Sequence, residues 1–314
     1  MTLAPQQSEL TRAQALYETN EPASITRANR IMCNAMTAAR QECRTETEWR
    51  ERIDNEFRAH PVAKYTRLDP FIRRCWEKPR GYAGDAVLLD FIYQHPSMQP
   101  VIEAAPSAAK YSLQYSTNGA APRAVRNRAW LLANEIDATA RRVPDASILS
   151  LACGHLREAR MSEAVQGGKL GRFLALDQDV QSIAVVHREN AQFGVEAAEG
   201  SVKSVIASRG SLGKFDFVYA AGLYDYLNDK VAARLLQALF DLTKPGGKVW
   251  IANFMPEIPD RAFMEAYMDW WLIYRDEPQM MDLAQALPVS ELARVRTFVE
   301  HDENIVFLEA VRRG

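Results

Sequence analysis

The chain has 314 residues, 47% of them apolar and 25% charged, and a formal net charge of −2. That length suits one large domain or two modest ones, and the near-neutral balance excludes a global field that would draw in nucleic acid or an anionic membrane. No apolar run approaches a membrane span and the polar N-terminus has no signal-peptide core, so a cytoplasmic protein is expected. Cys33, Cys43, Cys75 and Cys153 show neither C-x-x-C spacing nor a companion His cluster. No metal site is expected from them, and free thiols are their simplest state.

Residues 1–20 are polar and read as a frayed end or a loose helix. From Pro22 to Arg44 the composition is helical, with Ile25, Ala28, Ile31, Met32 and Ala35 expected on one face. Thr45 to Glu48 reads as a helix start, and Trp49, Ile53 and Phe57 follow at helical spacing as core residues until His60-Pro61 ends the run. After the apolar-basic segment Pro70 to Pro79 comes Arg80-Gly81-Tyr82-Ala83-Gly84-Asp85, where two glycines flank a tyrosine in a tight loop. Asp85 can cap the helix Ala86 to Tyr93. The loop is a plain connection or a lid, with Tyr82 offering a ring face and a hydroxyl. His95-Pro96 and Pro100 mark a break, and residues 104–121, with Tyr111, Tyr115, Ser116, Thr117 and Asn118, read as a linker or a loop that closes a site. These features set a helical region over residues 1–121 and a second domain over 122–314.

Pro122 opens a long helix, Arg123 to Ala140, with Val125, Leu132 and Ile136 apolar and Trp130 off the main stripe. Arg123, Arg126 and Arg128 are expected to be solvated, or one of them to meet a carboxylate of a ligand. Next comes SILSLACGHLREAR, Ser147 to Arg160: an apolar strand Ile148 to Ala152, the turn Cys153-Gly154-His155, and a helical pattern from Leu156. Such a turn puts backbone N–H groups at the carboxyl edge of a sheet, where a nucleotide-like ligand can sit. Of the dinucleotide spacing G-x-G-x-x-G only Gly154 remains, so a pyrophosphate is not expected. The strand Phe173 to Leu176 ends in Asp177-Gln178-Asp179, and an acid about 20 positions past the glycine turn can grip a ribose diol. Asp177 takes that role unless it is only a helix cap.

Helix Val180 to Phe193 leads to Glu199-Gly200-Ser201-Val202, near a third strand end, where an adenine edge could lie. Phe215 to Ala220 is a further strand, followed by helix Asp229 to Leu242, the turn Lys244-Pro245-Gly246-Gly247 and strand Lys248 to Asn253. Methionines and aromatics then crowd Phe254 to Tyr274, mostly as core. Two last strands, Arg296 to Glu300 and Ile305 to Val311, form an antiparallel finish. The alternation of strand and helix implies an α/β fold with a parallel sheet covered on both faces.

The LACG loop, the LDQD loop, KFDFVYAAGLYDYL and KPGGKVWIANF, in this order, resemble the class I S-adenosylmethionine (SAM)-dependent methyltransferases. KPRGYAGD (Lys78 to Asp85), GLYDYL (Gly222 to Leu227) and YMDWWLIYR (Tyr267 to Arg275) are similar to a bacterial branch labelled as making a hydroxy fatty acid methyl ester, the extracellular factor. The resemblance implies a Rossmann-like class I methyltransferase sheet, mostly parallel with an antiparallel last strand, plus an N-terminal helical cap over residues 1–121. It implies S-adenosyl-L-methionine as cofactor, held by Ala152, Cys153, Gly154, Asp177, Gln178, Ser201, Val202, Ala221, Gly222 and Tyr115. Cys153 is then small for the ligand's sake rather than a nucleophile.

Aromatic faces suit the sulfonium, and Tyr224, Tyr226, Tyr82 and Tyr115 can supply them. Tyr224, Asp225, Tyr82 and Asn253 are the catalytic candidates, with His155 a second possible base and Phe254, Trp271 or Tyr274 lining an acceptor pocket. No dominant His/Asp pair stands ready to take a proton. That favours a small-molecule acceptor that needs no base, such as a carboxylate of a lipid or secondary metabolite. Two alternatives remain: a SAM-consuming cyclase that releases methylthioadenosine (azetidine-2-carboxylate synthase type), and a non-catalytic SAM-binding protein. No nucleic-acid partner is expected.

Overall fold

The computed structural model describes residues 5–208 and 211–314, so the first four positions of the polar start lie outside the described residues. The chain forms two compact units, Met1–Arg123 with Glu257–Trp271, and Ala124–Pro256 with Leu272–Gly314.

The first unit is helical. Pro5–Glu18 is an ordered helix with Leu10, Ala13 and Tyr17 buried. Pro22–Glu42 starts with a proline at its first turn and buries Ile25, Ala28, Asn29, Met32, Ala35, Met36 and Ala39. That series follows the 3.6-residue repeat, which leaves Ile31 half-buried and brings in the polar Asn29 instead. Asn29 is tolerated because it accepts a hydrogen bond from the Tyr17 hydroxyl at 2.6 Å.

Asp69 caps the helix Pro70–Glu77 through the Phe71 N–H, and Asp85 caps Ala86–Ile92 through the Leu88 N–H. Residues 104–121 are not a linker, because Ser107–Ser116 is a helix with Ala109, Ser112 and Leu113 buried. The segment Glu257–Trp271 is tied into this unit by carboxylates. Glu265 accepts from Trp49 Nε1 at 2.7 Å and from Arg40 and Arg261 at 2.9 Å each, and Asp269 takes Arg58, Lys78 and Trp271.

The second unit carries the sheet. Its strands are β1 (Ser147–Leu151), β2 (Arg172–Asp177), β3 (Val195–Glu199), β4 (Phe215–Ala220), β5 (Thr243–Phe254), β6 (Leu292–Val299) and β7 (Ile305–Arg312), in the order β3-β2-β1-β4-β5-β7-β6. All neighbours pair in parallel except β7, which is antiparallel to both β5 and β6. The expected α/β fold with an antiparallel last strand is therefore present. β1 and β4 are buried along their whole length, so apolar residues fill both of their faces and Ser147, Ser150 and Asp216 are buried with them. One side of the sheet packs Leu149, Leu174, Val218, Ile251 and Leu308 against Leu235, Leu239 and Phe240 of the helix Asp229–Asp241. The Lys244 to Gly247 turn lies within β5 as an irregularity in its register with β4.

The chain leaves β1 toward β2 and β3, then returns to place β4 and β5 on the other flank of β1. The switch point therefore falls between the carboxyl ends of β1 and β4. In such sheets, ligands bind in that crevice.

Candidate functional site

The loop after β1 bends three times into left-handed backbone, at Ala152 (φ 54), Gly154 (φ 53) and Leu156 (φ 51). Only the middle residue is a glycine. Alanine and leucine pay about 1–2 kcal/mol to hold that conformation, and such strain persists where surrounding contacts enforce it. The contacts are visible. Cys153 N–H donates to the Leu176 carbonyl at 3.1 Å, and Gly154 N–H to Asp177 Oδ2 at 2.8 Å. Both amides are turned onto β2, which leaves neither to hold a pyrophosphate. The helix expected from Leu156 is a single 3-10 turn, Arg157–Arg160, because Leu156 is left-handed and buried. Cys153 is a free thiol whose pKa is driven up by burial and then by Asp177, as befits a small packing residue rather than a nucleophile.

Asp177 links three strand ends. One carboxylate oxygen accepts from Gly154 N–H and the other from Asp179 N–H at 2.9 Å, while its carbonyl accepts from Gly200 N–H at 2.9 Å. Burial raises its pKa despite these bonds. Each oxygen keeps acceptor capacity, since a carboxylate has about four lone-pair sites. Gln178 is exposed beside it. Gly200 lies so close to Leu176 that a Cβ there would meet its side chain at 3.1 Å. Ser201 caps the helix Val202–Ala207 in a reciprocal box with Ser204, and Val202 is half-buried.

Across the switch point, the tip of β4 faces Arg128, on the helix Ala120–Arg142. Arg128 is only 6% exposed. It donates one hydrogen bond, from Nη1 to the Ala221 carbonyl at 2.6 Å, and its guanidinium lies 3.5–3.9 Å from where a Cβ on Gly222 would be. No ion pair reaches it among the described residues. Glu158 and Asp225 lie close enough to feel its charge without pairing. Glu158 accepts from the Tyr219 hydroxyl at 2.8 Å, and burial raises its pKa. Asp225 accepts from Phe254 N–H at 2.7 Å and is pushed up to about 6 by burial.

Two catalytic candidates and one pocket-lining candidate from the sequence are placed otherwise. Tyr224 is fully buried within the apolar core and its hydroxyl has no partner, so its ring presents no face to a ligand. Asn253 spends its amide hydrogens on the Phe254 and Ile273 carbonyls and its oxygen on Arg275, which makes it a brace. Phe254 is buried at the end of β5. Tyr226 is exposed, and His155 is buried with Nδ1 3.3 Å from Arg157. Tyr82 and Tyr115 belong to the helical unit, each half-buried there, and burial raises the pKa of Tyr115. Trp271 is in the same unit, under the Arg50 guanidinium at 3.7 Å. Ala152, Cys153, Gly154, Asp177, Ala221 and Gly222 are thus brought together at one sheet edge with Asp225 and Arg128. Glu158 was hidden from sequence reasoning by its place in an apparently helical run.

No protein-family model and no curated protein matches the chain. Solved structures do. A possible exported protein from Bordetella parapertussis aligns with a TM-score of 0.56 at 13% identity, covering 82% of this chain and 100% of that one. Magnesium protoporphyrin IX methyltransferase from Synechocystis, solved with bound SAH, aligns at 0.46 and 12% identity over 62% of this chain and 87% of that one. The N-methyltransferase NodS from Bradyrhizobium japonicum aligns at 0.41 and 11% identity over 60% and 95%. At these identities the likeness concerns the fold alone. The fold is a Rossmann-like α/β sheet, seven strands with one running against the rest.

Proposed function

We propose that the chain is a SAM-dependent methyltransferase acting on a small molecule. The observation that carries this reading is Arg128: a buried guanidinium at the switch point with one hydrogen bond and no ion pair among the described residues. A buried charge left so sparsely paired is costly, and a ligand carboxylate relieves it. SAM has that carboxylate on its methionyl end and a ribose diol at the other, and the chain offers Asp177 for the diol. Ala152 to Gly154 put main chain at the sheet edge, where an adenosine without phosphates would lie. Bound there, SAM supplies a carbon activated by its sulfonium; the protein's part is to hold, align and exclude water.

A carboxylate of a lipid or secondary metabolite, already anionic at neutral pH and so in need of no base, is the acceptor we favour. Among the described residues no helix is long and apolar enough to cross a membrane. Four free cysteines fit a reducing cytoplasm.

A second reading rests on Glu158 and Asp225. Two buried carboxylates with raised pKa values flank Arg128, where the amino group of SAM would also lie. Either can take that group's proton, as an attack by the nitrogen on SAM's own chain requires, with loss of methylthioadenosine. Calorimetry with SAM, using wild type, Asp177→Ala and Arg128→Met, tests the binding site. Incubation with SAM alone then separates the reactions: methylthioadenosine without an acceptor supports cyclisation, and S-adenosylhomocysteine that appears only with an added carboxylate supports transfer. Tight binding unchanged in both variants refutes the assignment.

A further inference from the structure

Two of the stretches that carry the narrower resemblance, GLYDYL and YMDWWLIYR, meet at one side chain, Arg275. It is 2% exposed. Its Nε and Nη2 reach Asp229 Oδ1 at 3.0 and 2.7 Å, Nη1 reaches the Tyr224 carbonyl at 3.0 Å and Asn253 Oδ1 at 2.8 Å, and Nη2 also reaches the Leu227 carbonyl at 2.6 Å. The main chain beside it is tied as well. Arg275 N–H donates to the Phe254 carbonyl at 3.0 Å, and Ile273 N–H to the Asp225 carbonyl at 2.8 Å. Asp225 in turn accepts from Phe254 N–H.

A single planar fork therefore joins the loop after β4, the end of β5, the first residue of the helix Asp229–Asp241 and the segment Leu272 to Asp276. The loop it grips is the one whose Ala221 and Gly222 lie against Arg128. The fork geometry matters more than the charge. A lysine ammonium is a point donor and cannot span two carbonyls, an amide oxygen and a carboxylate at once. A buried cation would be poor value as simple filling, because apolar side chains of similar volume stabilise as well or better.

We infer that Arg275 is a positioning residue, which locks the Ala221 to Leu227 loop and so fixes Asp225 and the Ala221 carbonyl at the ligand-binding edge. The inference rests on the functional reading only for what the edge binds; the lock itself can be tested without ligand. Hydrogen exchange of the amides from Ala221 to Leu227 is compared in wild type, Arg275→Lys and Val186→Ala. Val186 is wholly buried on the helix Val180–Asn190, away from the loop, and serves as a variant that lowers stability without touching the lock.

Arg275→Lys should speed exchange in the loop at least tenfold relative to the β1 and β4 amides, whereas Val186→Ala should not single the loop out. SAM affinity measured by calorimetry should fall at least tenfold in Arg275→Lys and stay put in Val186→Ala. Should Arg275→Lys fail to fold, Asp229→Ala removes one arm of the fork at a side chain that is 82% exposed, and loop exchange should rise about threefold. Loop exchange in these variants that merely tracks Val186→Ala overturns the inference. Wild type that binds no SAM sinks the functional reading, and the exchange result then still decides the lock.

Discussion

Arg128→Met is the sharpest perturbation, because it should move stability and affinity in opposite directions. Methionine has a similar reach and no charge. In the free protein the change removes one hydrogen bond, to the Ala221 carbonyl, worth about 1.5–3 kcal/mol because its donor is charged. Ala221 is only half-buried, so water can replace the lost donor. Against this, the change abolishes the desolvation of a guanidinium that has no counter-ion, and replacing buried ionic groups with well-packed apolar ones is often neutral or stabilising by about 1–4 kcal/mol. Thermal stability should therefore hold or rise, by a few degrees at about 2–4 °C per kcal/mol.

In the complex the balance reverses. Losing one partner of a buried, hydrogen-bonded charge pair costs about 2–5 kcal/mol, and at about 1.4 kcal/mol per decade that is roughly thirtyfold to a few thousandfold in Kd. Calorimetric titration with SAM, beside a melting curve for the same preparation, reads both numbers. Arg128→Lys keeps the charge and loses the fork, so it should fall between. A drop in melting temperature of more than about 5 °C together with wild-type affinity would show that Arg128 is a structural residue and refute the reasoning.

Asp69 is wholly buried, accepts from Phe71 N–H and the Ser116 hydroxyl, and is raised by burial from 3.8 to about 7. Its folded pKa lies above its unfolded one, so the stability it adds is complete below about pH 4 and is lost as pH climbs through about 7. Chemical denaturation from pH 4 to 8 should show a decline of up to about 4 kcal/mol that Asp69→Asn flattens; parallel curves would count against this. The two strained positions after β1 should respond with opposite signs. Ala152→Gly relieves left-handed backbone and should raise stability by up to about 1 kcal/mol, whereas Leu156→Gly also deletes a buried side chain and should lose about 2–4 kcal/mol, both read by urea midpoints. Asp85→Ala removes a helix cap and both carboxylate contacts of Arg74, at 2.9 and 2.7 Å. It should cost about 3–5 kcal/mol, and a loss under about 1 kcal/mol would mean that the pair behaves like a surface one.

The central sheet could be read because β1 and β4 are mostly apolar on both faces and end in turns, Ile148 to Leu151 and Phe215 to Ala220 each carrying a single polar residue. The acid at the end of β2 could be read from its spacing from Gly154, and Asp177 accepts from the Gly154 N–H. The conformation of the loop after β1 could not. Left-handed backbone announces itself through glycine, and Ala152 and Leu156 adopt it without that marker. The available signal was spacing alone, two residues either side of Gly154. Tyr224 and Asn253 misled for a related reason. Residue type suggested reactivity, whereas their side chains point into the core and into the Arg275 fork, and pattern does not show which way a residue beyond a strand end will turn. Arg128 looked like one of three solvated arginines, since helical spacing alone did not reveal that the β4 tip would close over it.

These misplacements bear on the chemistry. With Tyr224 and Asn253 built into the scaffold, the reacting end described by the sheet unit reduces to Arg128, Glu158 and Asp225, one cation and two acids with raised pKa values. Under the proposed reading such a set would bind a zwitterion and accept a proton; it includes no metal ligand cluster among the described residues. A ligand carboxylate that neutralises Arg128 raises the pKa values of both acids, and the ligand ammonium beside them lowers them, so the Arg128 share of any proton uptake is the part lost in Arg128→Met. Titrating SAM in two buffers of different ionisation enthalpy at pH 6.5 measures that uptake directly. Proton uptake that disappears in Arg128→Met links the three side chains as one site, and uptake of the same size in that variant places the proton elsewhere.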